Sequence, residues 1–208
     1  MTVILPESEE IQLALRAGPE QVRAGAAIYV FGNTGYRLAR SGTNGFTCLV
    51  NRDGNQSEDH DLKPTCWDAE GSRTIVPVML RVGELLAKSS TAEQIRRDID
   101  AGFTAGRFTS PRKAGIAYML TGDIAYDPET KRIVKTAFPP HFMLYAPGLT
   151  SADIGVAAAP GPSDPQLPFV YSGYSGGTRT AYIIIMAAPR LPIARFLARE
   201  NPPVIAKR

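Results

Sequence analysis

Ala26–Val50 reads AAIYVFGNTGYRLARSGTNGFTCLV, and the placement of its turns decides the fold. Ala26 to Phe31 is an apolar run rich in β-branched and aromatic residues, the composition of a half-buried strand. Gly32-Asn33-Thr34-Gly35 is a turn, and Tyr36 to Arg40 is a second strand. Ser41-Gly42-Thr43-Asn44-Gly45 follows, with Asn44-Gly45 supplying the positive-φ positions that tight turns need. A third strand runs from Phe46 to Val50. Three strands at this spacing predict an antiparallel meander.

Working outward, the first twenty-five residues read as two short helices. Pro6, Ser8, Glu9 and Glu10 mark the start of the first, Gly18 ends it, and Pro19 opens a second that stops near Gly25. Asn51 to Gly71 is polar and without period, which predicts a long loop. Thr74 is the expected N-cap of a helix over Ile75–Lys88, with Pro77 tolerated in its first turn. Thr91-x-x-Gln94 is a capping box opening a helix over Thr91–Gly102, with Ile95 and Ile99 on one face. Strands are expected at Gly115–Leu120, Arg132–Thr136, Phe142–Tyr145 and Ala181–Ala187. Ala157–Pro168 reads as a long ordered loop, Tyr171–Gly177 as a Gly-rich hairpin tip, and Pro192–Glu200 as a short terminal helix. The expected fold is α+β in a single domain, 1–208: an antiparallel sheet with the Ile75–Lys88 and Thr91–Gly102 helices on one face. Residues 1–25 form its N-terminal helical segment and 189–208 a basic C-terminal tail.

Composition narrows the function classes. Hydrophobic residues at 44% and charged residues at 21% are ordinary globular values, which argues against disorder. The net charge of +3 comes without a Lys/Arg block or a basic stripe among aromatics, so a nucleic-acid partner is not indicated. The longest apolar stretch, Tyr182–Ala188, is too short to span a bilayer. Met1–Glu10 is acidic and lacks the apolar core of a signal peptide. Nothing in the sequence sets the oligomeric state.

Two cysteines, Cys48 and Cys66, lie 18 positions apart around a polar segment. The spacing suits a loop-closing disulfide, which would place the protein outside the cytoplasm. Two buried thiols are the alternative. The spacing is not CxxC, so a redox pair or half a zinc site is not indicated.

Candidate chemistry gathers at two points. Cys66-Trp67-Asp68-Ala69-Glu70-Gly71 holds the chain's only tryptophan and two carboxylates. In extended backbone Asp68 and Glu70 project to the same side, a pair able to share a proton or bind a hard divalent cation. Alternatively, Asp68 accepts backbone N–H bonds and Glu70 favours a nearby helix start. The second point is Pro139-Pro140-His141, where a stiffened approach holds a histidine at a strand entrance, as a general base or metal ligand requires. The alternative there is an imidazole bonded to a backbone carbonyl at a sheet edge. His60, in a run of carboxylates, reads as a surface residue with capacity for an opportunistic metal site. Ser72 lacks a nucleophile elbow. Trp67, Tyr118 and Tyr145 are the candidate substrate-binding aromatics, with the sheet core as their other destination.

Four phrases add a resemblance: Gly42-Thr43-Asn44-Gly45-Phe46-Thr47-Cys48, Asp68-Ala69-Glu70-Gly71, Gly115-Ile116-Ala117-Tyr118-Met119-Leu120, and Pro140-His141-Phe142-Met143-Leu144-Tyr145-Ala146-Pro147. Together they resemble exported bacterial domains of unknown function that carry a signal peptide, over roughly Ile11 to Gly155. The resemblance implies extracytoplasmic residence, periplasmic or secreted. It transfers no activity, cofactor or catalytic residue, and the absent signal peptide is a departure from it.

The functional expectation is a small extracytoplasmic hydrolase. His141, Asp68 and Glu70 would form its catalytic centre, either around a divalent metal or with a carboxylate orienting the imidazole. The alternatives are a non-catalytic small-ligand-binding module, with an aromatic pocket and no converging titratable groups, and an interaction domain with an exposed apolar patch near Ala157–Pro168.

Overall fold

A computed structural model describes residues 2–52, 61–127, 129–130, 132–156, 167–173 and 176–187. His60, most of the Ala157–Pro168 loop, the expected Pro192–Glu200 helix and the 189–208 tail lie outside these residues.

The N-terminal helices form as the sequence suggests, α1 over Glu7–Arg16 and α2 over Glu20–Arg23. Strands β1 (Ala27–Gly32), β2 (Gly35–Arg40) and β3 (Thr47–Asn51) follow. β1 and β2 make the expected antiparallel hairpin, but β3 joins β1 in parallel, so the three strands are not a meander. The Ser41–Phe46 connection carries the chain across rather than back. Asn44 holds it in place: its Nδ2 donates to the Val22 carbonyl at 2.7 Å, and its Oδ1 accepts from the Phe46 N–H at 3.0 Å.

The expected Asn51–Gly71 loop contains a central strand, β4 (Asp61–Trp67), antiparallel to β3. Pro64 hides it, because proline is normally barred from a central strand. The sheet accommodates it through a change of neighbour. Asp61 and Leu62 pair with β6 (Asp123–Asp127), whereas Cys66 and Trp67 pair with β5 (Ile116–Met119). Cys48 and Cys66 face each other with Cα atoms 4.0 Å apart, the spacing of a non-hydrogen-bonded pair. Two positions on, Val50 and Pro64 share that state, so the Pro64 nitrogen points into the gap between β5 and β6, where no ladder bond is required.

Two further helices follow β4. α3 (Ala69–Thr74) is capped by Asp68, six residues before the expected Thr74 cap, and α4 (Val76–Ala87) carries Pro77 in its first turn. α5 (Ala92–Thr104) opens with the expected capping box. Thr91 Oγ1 accepts from Gln94 N–H at 3.2 Å, and Gln94 Oε1 accepts from Thr91 N–H at 2.8 Å. Arg81 forks onto Asp98, with donations of 2.9 and 2.7 Å, and ties α4 to α5.

The remaining strands are β7 (Arg132–Phe138), β8 (His141–Tyr145), β9 (Phe169–Tyr171) and β10 (Tyr182–Met186). The main path runs β2-β1-β3-β4-β5-β8-β10-β9, and the β6–β7 hairpin branches from β4. The expected α+β class holds, with a sheet that is mostly antiparallel. Helices, however, occupy both faces. Leu49, Trp67, Met143 and Tyr182 pack on one side with α4 and α5. Ile28, Cys48, Val50 and Cys66 pack on the other with Leu13 and Ala14 of α1. Cys48 and Cys66 form a disulfide across β3 and β4.

Candidate functional site

Asp68 ends β4 and caps α3, which places its carboxylate at the meeting point of three elements. Oδ1 accepts from the Gly71 N–H at 3.0 Å and from the Tyr145 hydroxyl at 2.7 Å. Oδ2 accepts from the Ile116 N–H at 2.8 Å. The Tyr145 oxygen also lies 3.0 Å from the Ile116 carbonyl. One carboxylate thereby joins a helix start to β5 and β8. Glycine is required on both sides of it: a Cβ on Gly71 would strike the Tyr145 hydroxyl, and one on Gly115 would strike Asp68 Oδ2. Burial, reinforced by the Asp68 carboxylate, pushes the Tyr145 phenol well above its ordinary value, so it stays a neutral donor.

Glu70 turns away from Asp68, since both residues sit at a helix start rather than in extended backbone. Its Oε1 accepts from the Arg112 N–H at 2.6 Å, and its Oε2 pairs with Arg73 at 2.6 Å. The Arg112 N–H, followed by Arg73, holds its carboxyl below the usual range. These are the positioning roles that compete with a catalytic reading of both carboxylates.

His141 is 2% exposed. Its Nδ1 lies 2.8 Å from the Pro139 carbonyl, which can only accept, so Nδ1 carries the proton. The ring meets Phe138 edge-on at 4.9 Å, and burial lowers its pKa, leaving a neutral imidazole. His141 pairs with Met119, at the far end of β5 from Ile116. It stands four residue steps from Tyr145 along β8, about 13 Å at roughly 3.3 Å per residue. The structure therefore does not bring His141 to Asp68 or Glu70. Among the described residues, no three His, Cys, Asp or Glu side chains converge as a metal-binding set.

The three candidate aromatics also separate. Trp67 and Tyr145 lie on the α4–α5 side of the sheet and Tyr118 on the other, as the alternation of side chains along β5 and β8 requires. Trp67 is 1% exposed and its Nε1 donates to the Tyr182 hydroxyl at 3.0 Å. Burial raises the Tyr182 phenol well above its ordinary value. Tyr118 packs between a tilted Phe46 ring and an edge-on Phe142 ring, with ring centroids 6.3 and 5.9 Å away. Tyr118 therefore shares no face of the sheet with Trp67 and Tyr145.

Two features escaped the sequence. One is a buried ion pair: Arg52 donates to both oxygens of Glu10, at 2.7 and 2.9 Å, and to the carbonyls of Val3 and Val50. The other is a surface groove of about 330 Å³ between α1 and the β6–β7 hairpin. Leu5, Leu13 and Leu62 form its apolar floor, and Tyr126 and Ile133 its outer wall. Arg16, Arg132 and Glu9 supply its charges. The faint signal for it was an amphipathic α1 opposite an exposed apolar residue, Ile133, on a polar hairpin.

Compared with protein-family models, with curated proteins and with solved structures, the chain matches none.

Proposed function

We propose that the protein is a non-catalytic, extracytoplasmic domain that binds a small amphiphilic ligand in the groove between α1 and the β6–β7 hairpin. The observation that carries this reading is the groove itself. It is an open concavity at the lower end of the size range of small-molecule sites, with an apolar floor continuous with the core around the disulfide. The titratable groups that a hydrolase would use are engaged elsewhere: Asp68 and Glu70 in backbone bonds, His141 in the core. The Cys48–Cys66 disulfide supports an oxidising compartment. No helix among the described residues is long and apolar enough to cross a membrane.

A second reading, docking of an uncharged apolar protein surface, is favoured by one observation. On the face opposite α4 and α5, the sheet carries two cross-strand apolar rows: Phe46-Tyr118-Phe142-Ile185 and Ile116-Leu144-Ile183-Val170. No charged side chain stands in either row, and Leu144 and Ile185 are 36% and 38% exposed.

Binding of the neutral dye phenylnaphthylamine to wild type, Ile133→Asp and Ile185→Asp separates the two. Ile133 is 52% exposed, so a charge there alters the groove without entering the core. Loss of dye binding in Ile133→Asp alone supports the groove. Loss in Ile185→Asp alone moves the site to the sheet face.

A further inference from the structure

We infer that the groove's ligand is an amphipathic anion, an apolar chain or ring bearing one carboxylate-like head, held by Arg16 and Arg132. This rests on the ligand-binding reading above and adds the charge of the ligand to it.

Arg16 stands near the end of α1 and Arg132 at the start of β7, on opposite walls of the same groove. Both are exposed, and neither has an ion-pair or hydrogen-bond partner among the described residues. Their neighbours behave differently. Arg37 is paired with Glu7, and Arg40 is anchored on the carbonyls of Ala26 and Arg23. Two unpaired guanidiniums face one carboxylate, Glu9, so the lining has an excess of one positive charge. Gln12 and the Tyr126 hydroxyl add neutral hydrogen-bonding groups.

An apolar floor with cations at its edge matches one ligand chemistry. The floor removes the hydrocarbon from water, and the guanidiniums, always charged and shaped for bidentate contact, take the head. A purely polar anion would leave Leu5, Leu13 and Leu62 exposed, and a neutral lipid would leave both guanidiniums unused. At about 30 Å³ per small heavy-atom group, the groove holds on the order of ten such groups, the size of a ten-carbon fatty acid.

The test is displacement of phenylnaphthylamine by decanoate and by decanol from wild type, Arg16→Gln, Arg132→Gln and Arg23→Gln. Arg23 lies outside this groove and serves as the charge control. Each groove variant is expected to weaken decanoate about tenfold while leaving decanol unchanged. Arg23→Gln should alter neither, and Glu9→Gln should tighten decanoate. One-molar salt should weaken decanoate alone. Equal decanoate affinity in wild type and both groove variants, with dye and decanol still bound, overturns the anion assignment and leaves the ligand-binding reading standing. Failure of dye, decanol and decanoate alike to bind wild type overturns both.

Discussion

Glu10 and Arg52 meet in the protein interior as a bidentate pair, with side chains 0% and 2% exposed. Further polar and aromatic groups close around the pair. The Phe31 N–H donates to Glu10 Oε1 at 3.2 Å, Tyr36 donates to the Val50 carbonyl at 2.8 Å, and the Arg52 guanidinium lies 4.6 Å from the Phe31 ring centre. Burial pushes the Tyr36 phenol up to about 12, so it remains a neutral donor.

Removing one partner of such a pair leaves the other charged and buried, at a cost of about 3–5 kcal/mol. Arg52→Met and Glu10→Leu are each expected to lower the urea midpoint strongly. The double substitution Glu10→Leu with Arg52→Met should recover part of the loss. A double variant as unstable as the sum of the singles would show that the pair is not energetically coupled.

The disulfide gives a second prediction. Closing a segment of this length stabilises the fold by about 3 kcal/mol in the chain-entropy description. Cys48→Ala with Cys66→Ala should therefore show a lower denaturant midpoint, as should reduced wild type. Mass spectrometry of non-reduced peptides should recover the linked pair.

At Asp68 the consequence concerns direction of donation. Both carboxylate oxygens accept from backbone N–H groups, so Asp68→Asn turns an amide N–H₂ against a donor whichever way it is flipped. Tyr145→Phe removes only one donor to a charged acceptor, about 1.5–3 kcal/mol. Asp68→Asn should cost more than Tyr145→Phe in urea unfolding, and equal losses would count against the two backbone N–H bonds to Asp68.

His141 predicts a pH dependence. Burial, opposed in part by the Pro139 carbonyl, holds its folded-state pKa below the ordinary 6.5. The unfolded chain therefore binds the proton first as pH falls through 6.5. Stability is complete above that value and declines below it until the folded-state pKa is reached. Glu70 and Asp98, whose carboxyls are held low, act only in more acid solution. The urea midpoint of wild type should fall between pH 7.5 and 5.5, and His141→Gln should flatten that slope.

Legibility followed the range of the interactions involved. The Thr91–Gln94 capping box, the α1 start and most strands were readable because their signals lie within a few residues. β4 was not, because Pro64 and the charged Asp61 and Lys63 mask a strand whose pairing comes from two different neighbours. The parallel join of β1 and β3 was hidden because turn chemistry at Asn44-Gly45 does not specify which way the chain crosses. Asp68 and Glu70 were found by residue type, but their divergence depends on a helix starting at Ala69. Glu10 read only as part of a helix start and Arg52 as part of a polar loop, since nothing local says that residues so far apart will meet. In β8, apolar residues fill both faces, so the exposed row could not be told from the core row.

Among the described residues, the β6–β7 hairpin pairs with the rest of the sheet through Asp61 with Ala125 and Leu62 with Ile124, and β7 pairs with β6 alone. Mechanically it is a cantilever rooted at the free half of β4, while the disulfide clamps the other half. Arg132 and Ile133 ride on its outer arm. Amide exchange should accordingly be fastest in β7 and slowest in β3 and the Thr65–Trp67 half of β4, with occupancy of the groove slowing β7 selectively. The jaw that would grip a guest thus hangs from a short length of paired strand, so the groove can adjust its width without loosening the body that carries it.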